Sequence, residues 1–264
     1  MDNYGSNNNN YNYANEGYGA FNVSPDSQQN SYYYNDGYQE PTGFAGIKTI
    51  ATEKAITKAF VFMTFALIIT AIASMITSPM TAINMMTGGT FYILLIAELA
   101  IVFAGNAAVK KNNAVLAAVL YTVYSFLTGM TLSVIYVAYT LSSLAAVFFI
   151  TAGMFAVMAV IGLATKKNLS GIGSACMMAL IGIIIASIVN MVILHSSMLE
   201  FGVSILGVVI FSGLTAYDTQ KIKKMAAYSS NVTENSLALF GAFELYLDFI
   251  NLFLRLLSIL GRRK

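Results

Sequence analysis

The chain predicts an all-α integral membrane protein: a bundle of seven transmembrane helices with the last one central, behind a disordered amino-terminal tail. Three observations lead there. The 264 residues are 57% hydrophobic and only 10% charged, against roughly a quarter charged in an ordinary soluble protein. From Ile47 onward the apolar residues come in blocks of about twenty, the helical length that crosses a ~30 Å hydrocarbon core. The breaks between blocks alternate between basic and non-basic, the pattern of the positive-inside rule.

Residues 1–46 hold ten Asn, eight Tyr and five acids, with no Lys or Arg. Such a tract has no apolar period and little to bury, so it reads as a disordered cytoplasmic tail. It lacks the basic start and apolar centre of a signal peptide. Residues 47–264 then form the membrane domain, with seven acids and fourteen bases, a net charge of 14 − 7 = +7.

The first span, 59–78, follows Lys48, Lys54 and Lys58, and the break after it contains no base. The second, 91–109, ends at Lys110 and Lys111, while the third, 114–140, is followed only by a short uncharged break. The fourth, 144–165, leads into Lys166 and Lys167. The fifth, 172–194, is followed by "HSSMLE", and the sixth, 198–217, by Lys221, Lys223 and Lys224. The seventh covers 236–260. This alternation places the amino terminus in the cytoplasm of a multi-pass protein in the cell (inner) membrane. Arg262, Arg263 and Lys264 then fall on the opposite side against the rule, yet 25 residues are long enough to span. Cys176 lies inside the fifth block and has no second cysteine to pair with.

Two spans carry small or polar residues at helical spacing. Gly171, Ala175, Ala179, Gly182, Ala186 and Asn190 share one face of the fifth, and Tyr121, Ser125, Gly129 and Tyr136 one face of the third. Both are expected to be packing seams, because small residues let backbones approach closely in lipid.

The stretch 243–257, "FELYLDFINLFLRLL", sets acids and a base among aromatic and aliphatic side chains. At ~100° per residue, Glu244, Asp248, Asn251 and Arg255 fall within a stripe of about 60°. A charge at the bilayer centre costs about 2.5–3.5 kcal/mol on insertion scales. Gathered on one stripe, these groups can face the bundle interior, so the last helix is expected to be central. Glu98, in the middle of the second span, and Asp218, at the end of the sixth, join them as candidates for an ion pathway. If Asp218 meets Asp248 or Glu244, the two carboxyls would share a proton and titrate as a unit. Carboxylates in a wet intramembrane cavity are also hard ligands suited to calcium.

"AYDTQKIKKM" followed by "ALFGAFELYLDFINLFLRLL" resembles the Bax inhibitor-1 family, also called the transmembrane Bax inhibitor motif family. The resemblance covers residues 47–264 and implies a seven-helix bundle and a pH-sensitive calcium leak. Asp218 and Asp248 match the family's paired aspartates, which the resemblance makes the proton sensor and a tentative calcium site. A basic residue near the cytoplasmic end of the second helix latches onto that pair in some bacterial relatives. No Arg occurs in that span here, and Lys110 and Lys111 are the residues available to substitute.

The leading expectation is therefore a passive cation leak, with calcium as transported ion rather than cofactor, and with Glu98, Glu244, Asn251 and Arg255 along the pathway. The expected surroundings are the lipid bilayer and cations, with no nucleic acid. The alternative is a membrane-embedded regulator of stress responses or membrane-protease quality control, whose partners are other membrane proteins. An intramembrane aspartyl protease also needs two acids sharing a proton. Those enzymes carry G-x-G-D at the second Asp, where this chain has Tyr246-Leu247-Asp248, so no enzyme activity is expected.

Overall fold

A computed structural model describes residues 42–228 and 233–264. Most of the Asn/Tyr-rich tail, residues 1–41, lies outside the described residues. The helices are α1 (Thr42–Ile76), α2 (Pro79–Thr87), α3 (Thr90–Lys110), α4 (Ala114–Leu132), α5 (Ile135–Ala138), α6 (Leu141–Ala164), α7 (Ser170–Val189), α8 (Ser197–Tyr228) and α9 (Glu234–Leu260). A π-helical turn, Asn190–Leu194, extends α7. Seven segments among the described residues are long and apolar enough to cross a membrane: Thr52–Ile76, Thr90–Lys110, Ala114–Ala138, Leu141–Ala164, Ser170–Leu194, Ser197–Ala227 and Glu234–Leu260. The chain is an all-α membrane protein with seven spanning helices, as the hydropathy blocks predict.

Local chemistry sets the ends. The break after the first span contains its own short helix, α2, because Ser78 Oγ accepts from Thr81 N–H and Pro79 opens the first turn. Gly89, with φ 75°, turns the chain into α3. Asn113 caps α4 through Leu116 N–H, and Thr233 caps α9 through Ser236 N–H. Two helices outrun expectation: α1 begins seventeen residues before the expected start at Ala59, and α8 runs eleven residues past the expected end at Tyr217. The extension "DTQKIKKMAAY" is polar but contains no helix breaker. Gln220 also anchors it, donating to the carbonyls of Thr165 and Lys167 and accepting from Leu169 N–H.

Helix α9 is the axis of the bundle. It packs against α8, α1, α6, α4 and α3, and Leu245, Tyr246 and Leu252 are fully buried. Its aromatic side chains lock edge-on into two clusters, one with Tyr121 and Tyr124 of α4 and one with Phe148 and Phe155 of α6. The Tyr246 hydroxyl, which would be costly to bury alone, lies 2.6 Å from Thr70 Oγ1 on α1.

The expected seam on α4 is present. Tyr121 and Ser125 are buried, and a Cβ at Gly129 would stand 2.5 Å from the Thr70 carbonyl oxygen and 2.6 Å from Ala73 Cβ. Only the far end of the expected seam on α7 is used, where Ala186 lies half-buried against the core and Asn190 is half-buried. Gly171, Ala175, Ala179 and Gly182 are exposed, while Gly173 and Ile183, on a neighbouring face, are buried. Tyr217 of α8 decides that face, because its ring lies where a Cβ at Gly173 would be. Gly129→Val should therefore force α1 from α4 and cost about 1–3 kcal/mol or more. Gly182→Val, with nothing within 4 Å of its Cβ, should not. Thermal unfolding of both variants in detergent measures the difference.

The two ends of the bundle differ. At one end Lys58 Nζ meets Glu234 at 2.8 Å and Asn235 at 3.0 Å, and Asn112 Oδ1 accepts from Thr233. At the other end the carboxyl-terminal residues lie along the α5–α6 link. Thr140 N–H donates to the Arg262 carbonyl, Arg262 N–H to Ser143 Oγ and Lys264 N–H to the Ala138 carbonyl. The last helix thus crosses the whole bundle. Arg262, Arg263 and Lys264 lie at the end opposite Lys58.

Candidate functional site

Asp218 and Lys221 stand three residues apart on α8, and Glu244 and Asp248 four apart on α9, so each pair shares one helix face. The α8–α9 contact, where Gly241 lets the Ile222 side chain lie close to the α9 backbone, turns these faces toward each other. Lys221 Nζ lies 2.6 Å from Glu244 Oε1 and 3.8 Å from Asp218 Oδ1, and 5.1 Å from the centre of the Phe240 ring. The carboxyls of Asp218 and Asp248 lie near enough for their charges to act on each other across this contact. Asp248 is 5% exposed. Its Oδ2, and Oε2 of Glu244, are buried with no hydrogen-bond partner among the described residues. The ammonium of Lys221 thus pairs with two carboxyls, Asp218 and Glu244, beside the third, Asp248.

The structure brings together Asp218, Asp248 and Glu244, as the sequence suggests, and adds Lys221, which sequence reasoning counted only as a topology-setting base. The signal for it was available: an i,i+3 acid–base pair at the start of the α8 extension. Lys110 and Lys111 form no ion pair among the described residues, so the base at the acid cluster is Lys221.

The remaining candidates lie elsewhere. Glu98 does not meet Asn251 or Arg255. Its Oε1 accepts from Thr131 on α4 at 2.7 Å, at the side of the bundle. Asn251 donates to the Leu247 carbonyl of its own helix at 2.8 Å. Arg255 is near the far end of α9, with its stem against Gly207 of α8. The polar stripe of α9 is continuous in angle, but it faces two separate places. Among the described residues no three His, Cys, Asp or Glu side chains converge closely enough to hold a metal ion.

Comparison with known proteins accounts for this arrangement of motifs. The family model described as "Inhibitor of apoptosis-promoting Bax1" matches residues 52–264. The chain belongs to the Bax inhibitor-1 family. The match takes in all seven spanning segments and every residue of the acid cluster. The inner membrane protein YbhL of Escherichia coli K12 is 44% identical over 211 residues, 77% of this chain and 89% of that protein. An uncharacterized protein of Borreliella burgdorferi is also 44% identical, over 216 residues, 80% of this chain and 93% of its own. The uncharacterized protein RP147 of Rickettsia prowazekii is 42% identical over 212 residues, 78% and 89% of the two chains. As a Bax inhibitor-1 family member, this chain is a multi-pass membrane protein.

Proposed function

We propose that this protein is a pH-sensitive cation leak of the inner membrane, favouring calcium, with Asp218 and Asp248 as its proton-sensitive gate. One observation carries the reading: two buried carboxylate oxygens, Asp248 Oδ2 and Glu244 Oε2, with no hydrogen-bond partner among the described residues, at a cluster of three acids and one base. Buried polar atoms are normally satisfied, so orphaned ones suit a transient partner, a proton or a cation in passage. Carboxylate oxygens are hard ligands matched to calcium. With one proton shared, Asp218 and Asp248 hold α8 against α9; with none, like charges oppose each other across that contact. Lys221 takes the place of Lys110 or Lys111 as the base that restrains the acids. Glu98 and Asn251 are polar stations toward the other end, and Arg255, being positive, is excluded from the cation route. The sequence contains no nucleotide-binding loop, so the movement is passive and no catalytic role is assigned. The lysine-rich end, including Lys58, is placed in the cytoplasm by the positive-inside rule.

Calcium entry into liposomes containing the purified protein and a trapped indicator tests the proposal. Entry above protein-free liposomes, changing with pH, is expected. A protein that only regulates other membrane proteins would give none at any pH.

A further inference from the structure

The end of the bundle opposite Lys58 contains a cavity of about 390 Å³. Asn190, His195, Ser196, Ser197, Glu200 and Arg255 line it. It forms where α7 widens into its π-turn and the chain reverses at His195, with φ 48°. Asn190 holds that reversal, accepting from Ser196 N–H at 2.9 Å and donating to the Ser196 carbonyl at 3.1 Å. Single π-turns of this kind recur at functional sites.

Arg255 enters the cavity from below. It stands five residues before the end of α9, about 8 Å along the helix axis. Its stem is pressed onto α8 at Gly207, where a Cβ would stand 2.9 Å from both Cγ and Cδ. Among the described residues its guanidinium makes no hydrogen bond and no ion pair within 4 Å. Glu200, the acid in the same cavity, is 3.8 Å from Arg263 and half exposed. Two guanidiniums therefore face one carboxylate, a net charge of +1. An arginine at this depth is costly unless its five donors find acceptors, and among the described residues none lies within hydrogen-bond distance of them. Serine hydroxyls and a charge-bearing planar fork are the groups that recognise phosphate.

We propose that this cavity binds a phosphate-bearing anion, with Arg255 as the principal ligand. The cavity lies near the ends of the spanning helices, where a lipid phosphodiester could reach it, and free phosphate has the same chemistry. The site is separate from the acid cluster and independent of whether the protein conducts.

The test uses the full chain in neutral detergent, with thermal unfolding followed at constant ionic strength. Short-chain phosphatidylglycerol and inorganic phosphate are titrated in separate arms. A saturable rise in the unfolding midpoint is expected in at least one arm, since a ligand that binds the folded state stabilises it. A rise with the lipid alone identifies a headgroup site; a rise with both identifies the phosphate itself. Arg255→Gln should weaken the apparent affinity at least about tenfold, ~1.4 kcal/mol. Gly207→Ala keeps the charge but displaces the Arg255 stem, and should weaken it as well, which tests position even if Arg255→Gln folds poorly. No midpoint rise in either arm, or the same affinity in wild type and both variants, overturns the proposal.

Discussion

Asp218→Asn and Asp248→Asn should each remove most of the change in calcium flux between about pH 6 and about pH 8. On the proposed reading, the two carboxyls, which lie near each other across the α8–α9 contact, share one proton at low pH. As pH rises that proton leaves, and two negative charges face each other in a poorly hydrated contact. At an effective dielectric constant of ~20, unit charges 4 Å apart repel by about 4 kcal/mol. That is enough to shift an α8–α9 contact between two arrangements. An asparagine at either position cannot acquire the charge, so the repulsion does not develop and the flux stays near one level. Liposome flux at several pH values, for wild type and both variants, checks this. Identical pH profiles in all three would move the sensor to Glu244 or Glu98.

Lys221→Met should raise calcium flux at least about tenfold at a fixed pH, ~1.4 kcal/mol in equilibrium terms. The ammonium stands 2.6 Å from Glu244 Oε1 and 3.8 Å from Asp218 Oδ1, where an entering cation would seek the same oxygens. Its removal leaves three carboxyls with no internal counter-charge, and the methionine stem still fills the space beside the Phe240 ring. The side chain is 31% exposed, so solvent screens part of the Coulomb energy and the tenfold figure is set well below the unscreened limit. Lys221→Met with Glu244→Gln removes the base and one acid together and should return the flux toward wild type. If Lys221→Met folds and conducts at the wild-type level, the ammonium does not compete with the ion.

The membrane fold was legible because lipid imposes its constraint on composition. Seven blocks long enough to span are visible without any tertiary contact, and the observed spans depart from them by a few residues at most ends. The exceptions are α1, which begins seventeen residues before its expected span, and α8, whose polar extension reads as a loop until Gln220 is seen tying it to the α6–α7 link. The α7 seam was misread for a related reason. Small residues mark where a helix permits close approach, but Tyr217 of α8 meets Gly173 rather than the Gly171–Gly182 stripe.

The site divides in the same way. Asp218, Glu244 and Asp248 stood out because ionisable groups in apolar blocks are expensive and their periodicity on α9 is local. Lys221 did not stand out, because a lysine after a span already has a sufficient explanation in topology. Its pairing with Glu244 depends on the angle and depth at which α8 crosses α9. Glu98 was expected along the pathway with the stripe of α9, but its hydrogen-bond partner is Thr131 on the adjacent α4.

What the sequence by itself determined is the number of spans, the asymmetry of basic charge between their ends, the family and the acids that must leave the lipid. Each of these follows from transfer free energy and helical periodicity, which act along the chain. Only the tertiary structure decided which acids come together, that one ammonium pairs with two of them, and that Arg255 faces a separate cavity. Those facts depend on the rotation and depth of one helix against another, and these are set by packing at Gly129, Gly207 and Gly241, between residues far apart in sequence.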